Sequence, residues 1–247
     1  SIVYSPLDAL KLAQENPDQQ IVFVGVGFET TTPLVAMAIK RAKALGLKNF
    51  SVFVAHKNMP GALETIVSDP SLRIDALILP GHVSTIIGMK PYEFLAKRYG
   101  IPGVITGFEA VDVLQGVAMI MRQLHEGRAE IEIAYTRGVA PEGNQVAVAA
   151  INEVFHTVDA TWRGLGVIPG SGYAIRPEFA EFDAFQRFEP AVEPTQEPKG
   201  CRCGDVLRGM MAPNECPLFR KVCTPENPVG PCMVSSEGSC AAYFRYL

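Results

Sequence analysis

The chain has 247 residues, 48% of them apolar and 19% charged, which is enough to bury a full core without cross-links and points to one large domain or one with an appendage. A net charge of −4 and a pI near 5.6 supply no broad positive field, which argues against nucleic acid or an anionic membrane surface as the main partner. No apolar run is long enough to cross a bilayer, and a cytoplasmic protein is expected, in which clustered cysteines serve metal or redox chemistry more often than disulfides.

The opening "SIV" reads as a strand already under way in a chain that does not begin with methionine, so a preceding N-terminal portion is expected. From Ser5 to about Glu126, short apolar runs alternate with amphipathic stretches, the signature of an α/β fold of Rossmann-like βα units: a mostly parallel sheet with flanking helices. Strands are predicted at 20–26, 50–55, 75–80 and 102–107, each rich in the aliphatic residues of a strand covered on both faces. A surface helix is predicted over 31–47, with Pro33 in its first turn. Its spacing sets Leu34, Ala38, Ile39 and Leu45 on one side and Lys40, Arg41 and Lys43 elsewhere. Shorter helices start at Pro60 and Lys90, and a long one runs from Glu109 to a stop near Gly127. An edge strand at 129–137 and a helix at 143–155 follow, and 156–190 is Gly-rich and mixed in pattern. "EPAVEPTQEPKG" at 189–200 reads as a Pro/Glu linker. The expected organisation is therefore an α/β region at 1–188 with its sheet core at about 5–127, the linker, and a Cys-rich region at 201–247.

In an open α/β sheet the ligand crevice lies off the carboxyl ends of the strands. Four such ends carry polar groups: "GFETTTP" from Gly27, "AHKNMP" from Ala55, "PGHVS" from Pro80 and "GFEAVD" from Gly107. They deliver Glu29, Glu109, His56 and His82 to one expected sheet edge. The plainer reading makes Glu29 and Glu109 first-turn helix acids and Thr30 or Thr31 a helix cap. As a set, two acids and two imidazoles suit a metal ion or proton transfer. His125 and His156 lack such company and read as a surface helix residue and a loop residue. "GVGFET" also begins like a dinucleotide fingerprint, but Thr30 stands where the third glycine belongs, and Glu29 would meet a pyrophosphate with like charge.

All six cysteines fall within 201–247, at Cys201, Cys203, Cys216, Cys223, Cys232 and Cys240. No CxxC pair occurs, which disfavours structural zinc, and dispersed thiolates suit a loop wrapped around a larger object such as a four-iron cluster. By spacing alone, Cys201 and Cys203 are equivalent as first ligand. Leu207, Met210, Met211, Leu218, Phe219 and Tyr243 are candidates for an apolar shell, or for an ordinary minor core.

"YSPLDALKLAQENP", "GFETTTP", "PGHVS", "GFEAVDVLQG", "WRGLG" and "CGDVLRG…CPLF…CTP…MVSSEGSCAAYFRY" together resemble the HypD family of [NiFe]-hydrogenase maturation, over nearly the whole chain. The resemblance implies two similar α/β domains plus a C-terminal [4Fe-4S] region. It also implies a scaffold that, with HypC, holds an iron ion while that ion acquires cyanide, delivered by HypE, and carbon monoxide. The family's C-x12-C-x6-C-x16-C spacing falls on Cys203, Cys216, Cys223 and Cys240, leaving Cys201 and Cys232 as extras. Its strand-end motifs place Glu29, Thr30, Thr31 and His82 in the assembly cleft, with His56 and Glu109 as weaker candidates. The family's upstream Cys-Gly-Thr-His and Gly-Pro-Gly-Cys-Pro-Val-Cys motifs do not occur in this chain. Two alternatives stand beside this expectation: a nucleotide-dependent iron–sulfur oxidoreductase and a zinc-stabilised interaction module.

Overall fold

The computed structural model describes residues 1–191 and 198–247, so half of the expected linker at 189–200 lies outside the described residues. The chain forms two compact units. One comprises Ser1–Ala62, Ala76–Ala160 and Pro169–Ala191; the other comprises Leu63–Asp75, Thr161–Ile168 and the C-terminal residues described from 198 onward.

In the first unit, α1 (Pro6–Glu15) starts where the Ser5 hydroxyl accepts the Leu7 N–H at 3.1 Å, and it buries Ala9, Leu10 and Ala13. The residues before it form no strand, contrary to expectation, and Ile2 and Tyr4 stand in solvent. Strands β1 (Ile21–Gly27) and β2 (Phe50–His56) pair in parallel from Ile21 opposite Phe50 to Gly27 opposite His56, joined through α2 (Thr32–Ala44). Helix α2 buries Val35, Ala36, Ala38, Ile39 and Ala42, whereas Leu34 and Leu45 are exposed. The predicted stripe was therefore one step off, because small alanines fill the close approach and the bulkier leucines do not. Strand β1 is not covered on both faces either: Val22, Val24 and Val26 alternate outward. Helix α3 (Met59–Val67) leaves this unit and continues into the second.

A further parallel sheet follows in the same unit, with the order β3 (Leu77–Pro80), β4 (Gly103–Thr106), β5 (Ile131–Ile133), so the predicted edge strand is an edge, though short. The connections are α4 (Gly81–Ile87), which the sequence pattern did not suggest, a 3-10 turn at Lys90–Tyr92 leading into α5 (Glu93–Tyr99), and α6 (Ala110–Glu126), stopped at Gly127. Helix α7 (Gln145–Val154) begins at Asn144, whose Oδ1 accepts the Ala147 N–H at 3.1 Å. The mixed segment that follows contains paired strands β6 (Phe155–Trp162) and β7 (Gly166–Ile175), a 3-10 turn at Pro177–Phe182 and α8 (Ala184–Phe188). His156 is thus a strand residue, not a loop residue; Pro169, Gly170 and Gly172 had masked the strand signature of β7. The α/β class is as expected, with the parallel strands divided between two sheets. The main core gathers Leu10, Ile39, Phe50, Val52, Phe155 and Phe182.

The second unit has little regular structure. Its short elements are α9 (Cys203–Leu207), a 3-10 turn at Pro213–Glu215, α10 (Pro231–Val234) and α11 (Ser239–Tyr246).

Candidate functional site

The core of the second unit is made of its cysteines. Cys203, Cys223, Cys232 and Cys240 are buried with Phe219, Met233 and Ala241, and Cys201 and Cys216 pack against them. All six are free thiols. Cys203, Cys216, Cys223 and Cys240, the four expected ligands, line one pocket, and Cys201 lines it as a fifth. Cys232 does not line it but donates its N–H to the Cys203 sulfur at 3.3 Å.

Local backbone chemistry explains how dispersed cysteines meet. After Cys216 the Leu218 carbonyl accepts the N–H groups of Lys221, Val222 and Cys223 at 3.2, 3.2 and 3.0 Å, with Arg220 in the left-handed region at φ 58°. That tight reversal returns Cys223 to the pocket. The Arg220 guanidinium pins it by donating to the Phe244 carbonyl at 3.0 Å. Val229 N–H points at the Cys223 sulfur at 3.4 Å. Gly230 is required where it stands: a Cβ there would lie 2.4 Å from the Cys201 sulfur and 3.0 Å from that of Cys203. Arg208 braces the start of this region by donating to Asp69 at 2.7 Å and to the Gly204 carbonyl at 3.0 Å.

Of the expected apolar shell, Leu207, Leu218, Phe219 and Tyr243 are present, whereas Met210 is exposed and Met211 lies outside the cluster. Met233, Val229 and Phe244 were missed. Phe244 follows Cys240 by four residues on α11, a helical spacing that could have flagged it.

Burial pushes Cys201 up to about 11 and Cys240 up to about 12, and the thiol hydrogen bond with Cys232, followed by burial, pushes Cys203 up. Such crowded sulfurs gain most from a cationic centre that takes the protons' place. Among the described residues no group of three or more His, Cys, Asp or Glu converges as the ligands of a single ion do. The thiols instead surround a common pocket, with backbone N–H groups on two sulfurs and apolar walls. That donor set fits a cluster held at several irons.

The strand ends of the first unit present a different chemistry. Glu29, beyond β1, is 2% exposed; its Oε1 accepts the Met59 N–H at 3.0 Å, and its Oε2 has no partner among the described residues. Burial pushes its carboxyl up to about 6. His56, the last residue of β2, is equally buried, neither ring nitrogen is hydrogen-bonded among the described residues, and burial lowers its pKa to about 4. Its ring fits because Gly25 has no side chain: a Cβ there would lie 2.6 Å from Cε1. Burial first, and then the charge of Glu29, also raise the phenols of Tyr92 and Tyr173.

Thr31 stands at the N-cap position of α2 without capping it; its hydroxyl donates to the Val26 and Phe28 carbonyls at 3.3 and 3.2 Å. The Thr31 and Thr32 N–H groups also turn to the Phe28 carbonyl. With those donors used and Glu29 turned inward, this turn offers no cradle for a pyrophosphate, which removes the support for the nucleotide alternative. Thr30 borders a groove together with Pro33, Leu34 and residues of α7.

His82 opens α4 in solvent and stacks on Phe108 at 4.6 Å. Glu109, exposed at the start of α6, makes no capping bond and pairs with Arg137 at 3.3 Å. Arg137 also grips the buried Asp112 through two 2.6 Å bonds and lies over Tyr135, an arrangement the sequence reading missed although Asp112 closes "GFEAVD". Glu29 and His56 thus serve one sheet and His82 and Glu109 the other, so the single edge predicted for all four is not formed. His125 is exposed on α6, as expected.

Comparison with known proteins covers both units. The HypD family profile, described as "Hydrogenase formation hypA family", matches residues 1–247. The chain is 48% identical over 252 residues to the "Hydrogenase maturation factor HypD" of Cupriavidus necator, covering 99% of this chain and 66% of that protein. Identity is 49% over 251 residues to the Azotobacter vinelandii protein of that name and 45% over 246 residues to that of Escherichia coli K12, with the same coverage of 99% and 66%. The chain spans about two thirds of the length of these curated relatives. It belongs to the HypD family.

Proposed function

We propose that this chain takes part in maturing [NiFe]-hydrogenases as a cytoplasmic, redox-active scaffold. Its cargo is an iron ion that becomes the Fe(CN)2CO centre, with HypC sharing the ion and HypE delivering the cyanides. The observation that carries the reading is the convergence of five thiols on one pocket in a chain of the HypD family. Cys203, Cys216, Cys223 and Cys240 would hold a [4Fe-4S] cluster, and a bound cluster supplies one-electron chemistry. The chain's own part is to keep that pocket dry with Leu218, Phe219 and Met233 and to direct the Cys232 and Val229 N–H groups at sulfur. At the strand ends, Glu29 holds or releases a proton close to neutrality, and the exposed His82 is free to approach a cargo ion. Thr30 and Thr31 follow Glu29 in the turn; His56 and Glu109 are auxiliary.

The test is anaerobic reconstitution with iron and sulfide followed by metal and sulfide analysis. A brown protein with about four irons per chain is expected. Colourless protein with stoichiometric zinc would replace this reading with the zinc-stabilised interaction module.

A further inference from the structure

A four-iron cluster needs four thiolates, and five thiols line this pocket. We propose that Cys201 and Cys203 are alternative ligands of one cluster iron, Cys203 on the buried side and Cys201 at the solvent edge. The inference rests on the cluster reading above and adds an exchangeable position to it.

The two sulfurs are the ones that crowd Gly230. Both lie within 3.0 Å of the point where a Gly230 side chain would begin, so they are no more than about 6 Å apart. Only Arg202 separates the two residues in sequence, so one iron can be reached from either with a small backbone adjustment. Their settings differ in the way that an exchange requires. Cys203 is 5% exposed, begins α9 and receives the Cys232 N–H at 3.3 Å. Cys201 is half-buried and precedes the helix, and both residues border a second, open groove beside Gly164 and Gly166. The sulfur of the buried residue, fixed at the helix start, is the resident ligand; that of the half-buried residue before the helix is the one with room to approach or withdraw. Among the thiols that line the pocket, Cys201 and Cys203 are next-but-one neighbours in sequence, and the Cys232 thiol hydrogen-bonds with that of Cys203.

The exchange balances without an oxidant. The iron–sulfur bond to Cys203 breaks, the bond to Cys201 forms, and the proton of the Cys201 thiol passes to the Cys203 sulfur. One iron can thus exchange its resident ligand without the cluster coming apart.

The experiment compares the full chain with Cys201→Ala, Cys203→Ala, the double variant and Cys232→Ala after identical reconstitution. Iron and sulfide content, visible absorbance and the electron paramagnetic resonance of the reduced protein are read, with circular dichroism to confirm folding. Each single variant at 201 or 203 should keep the iron content of the unsubstituted chain, with a shifted resonance for Cys203→Ala, and the double variant should lose it. Cys232→Ala should keep both iron content and resonance position. Loss of iron in either single variant to the level of the double variant overturns the proposal, as does full retention in the double variant. Serine replacements repeat the comparison for any alanine variant whose circular dichroism is lost. If the unsubstituted chain takes up no iron and sulfide, it is the cluster reading that fails, which separates the two outcomes.

Discussion

The two units of this chain solve the problem of cohesion differently. The first packs Ile39, Phe50, Val52, Phe155 and Phe182 into a core of ordinary apolar side chains and can then tolerate buried polar atoms at its strand ends. In the second, the cluster around the pocket has four cysteines among its seven buried residues, and the rest are Phe219, Met233 and Ala241. A small unit with so little apolar volume has a thin margin from hydrophobic burial alone, and small domains usually add a metal or cross-link to make up the difference. Polar groups are therefore a functional cost to the first unit. In the second, the thiols are part of the core itself.

The largest expected effect follows directly. If metal binding supplies folding free energy to the second unit, stripping iron with a chelator under oxidising conditions should abolish its hydrogen-exchange protection across 198–247. Amides of β1, β2 and α2 should keep theirs. Unchanged protection in both units would show that the thiol core stands unaided and would erase the contrast. Next in size is Phe219→Ala. Phe219 is 7% exposed and meets Tyr243 and Phe244 edge-on at 6.2 and 5.9 Å, so its loss should cost about 3–5 kcal/mol, read as a shift of the denaturant midpoint of the second unit. A cost below about 1 kcal/mol would mean that the aromatic shell contributes little beside the thiols.

The same contrast governs how much the sequence revealed. Strands β1, β2 and β4 and helices α2, α6 and α7 were legible because period and length agreed with burial. The β6–β7 hairpin was not, since Gly166, Gly170 and Gly172 erase alternation in a strand whose neighbours, rather than its own side chains, define it. Six cysteines without a CxxC pair told of a site but not of its shape; the fold around it depends on a left-handed Arg220 and on a Gly230 that no periodicity announces. At the strand ends the residue types were legible and their burial was not. Glu29 and His82 looked alike as strand-end polar groups, yet one is sealed and the other is in solvent, because Glu29 turns inward to accept the Met59 N–H.

The tolerance of the first unit for buried polar groups can be measured at His56. Its folded pKa of about 4 lies below the usual 6.5, so the stability associated with the neutral ring is complete above pH 6.5 and is lost as pH falls toward 4. The loss amounts to about 3 kcal/mol. His56→Leu should remove it, leaving the first unit's urea midpoint nearly level between pH 7 and pH 4 apart from other carboxylates. An unchanged acid slope in the variant would mean that the ring is hydrated in solution.

Glu29 should act in the opposite direction and more weakly. Its folded pKa of about 6 lies above the usual 4.5, so the folded state holds the extra proton; stability is complete below pH 4.5 and falls as pH rises through 6. The ionised carboxylate then costs about 2 kcal/mol at pH 8. Glu29→Gln keeps an acceptor for the Met59 N–H while removing the charge, so it should gain up to that amount at pH 8 and nothing at pH 4. Between pH 4.5 and 6 the slopes of Glu29 and His56 run against each other, so the unsubstituted chain should look insensitive to pH there, and each single variant should uncover the slope of the other. A Glu29→Gln variant with no gain at pH 8 would place the carboxylate in contact with water or a cation. In that case the sealed strand end would resemble the cysteine pocket, as a site whose groups are completed by what binds there.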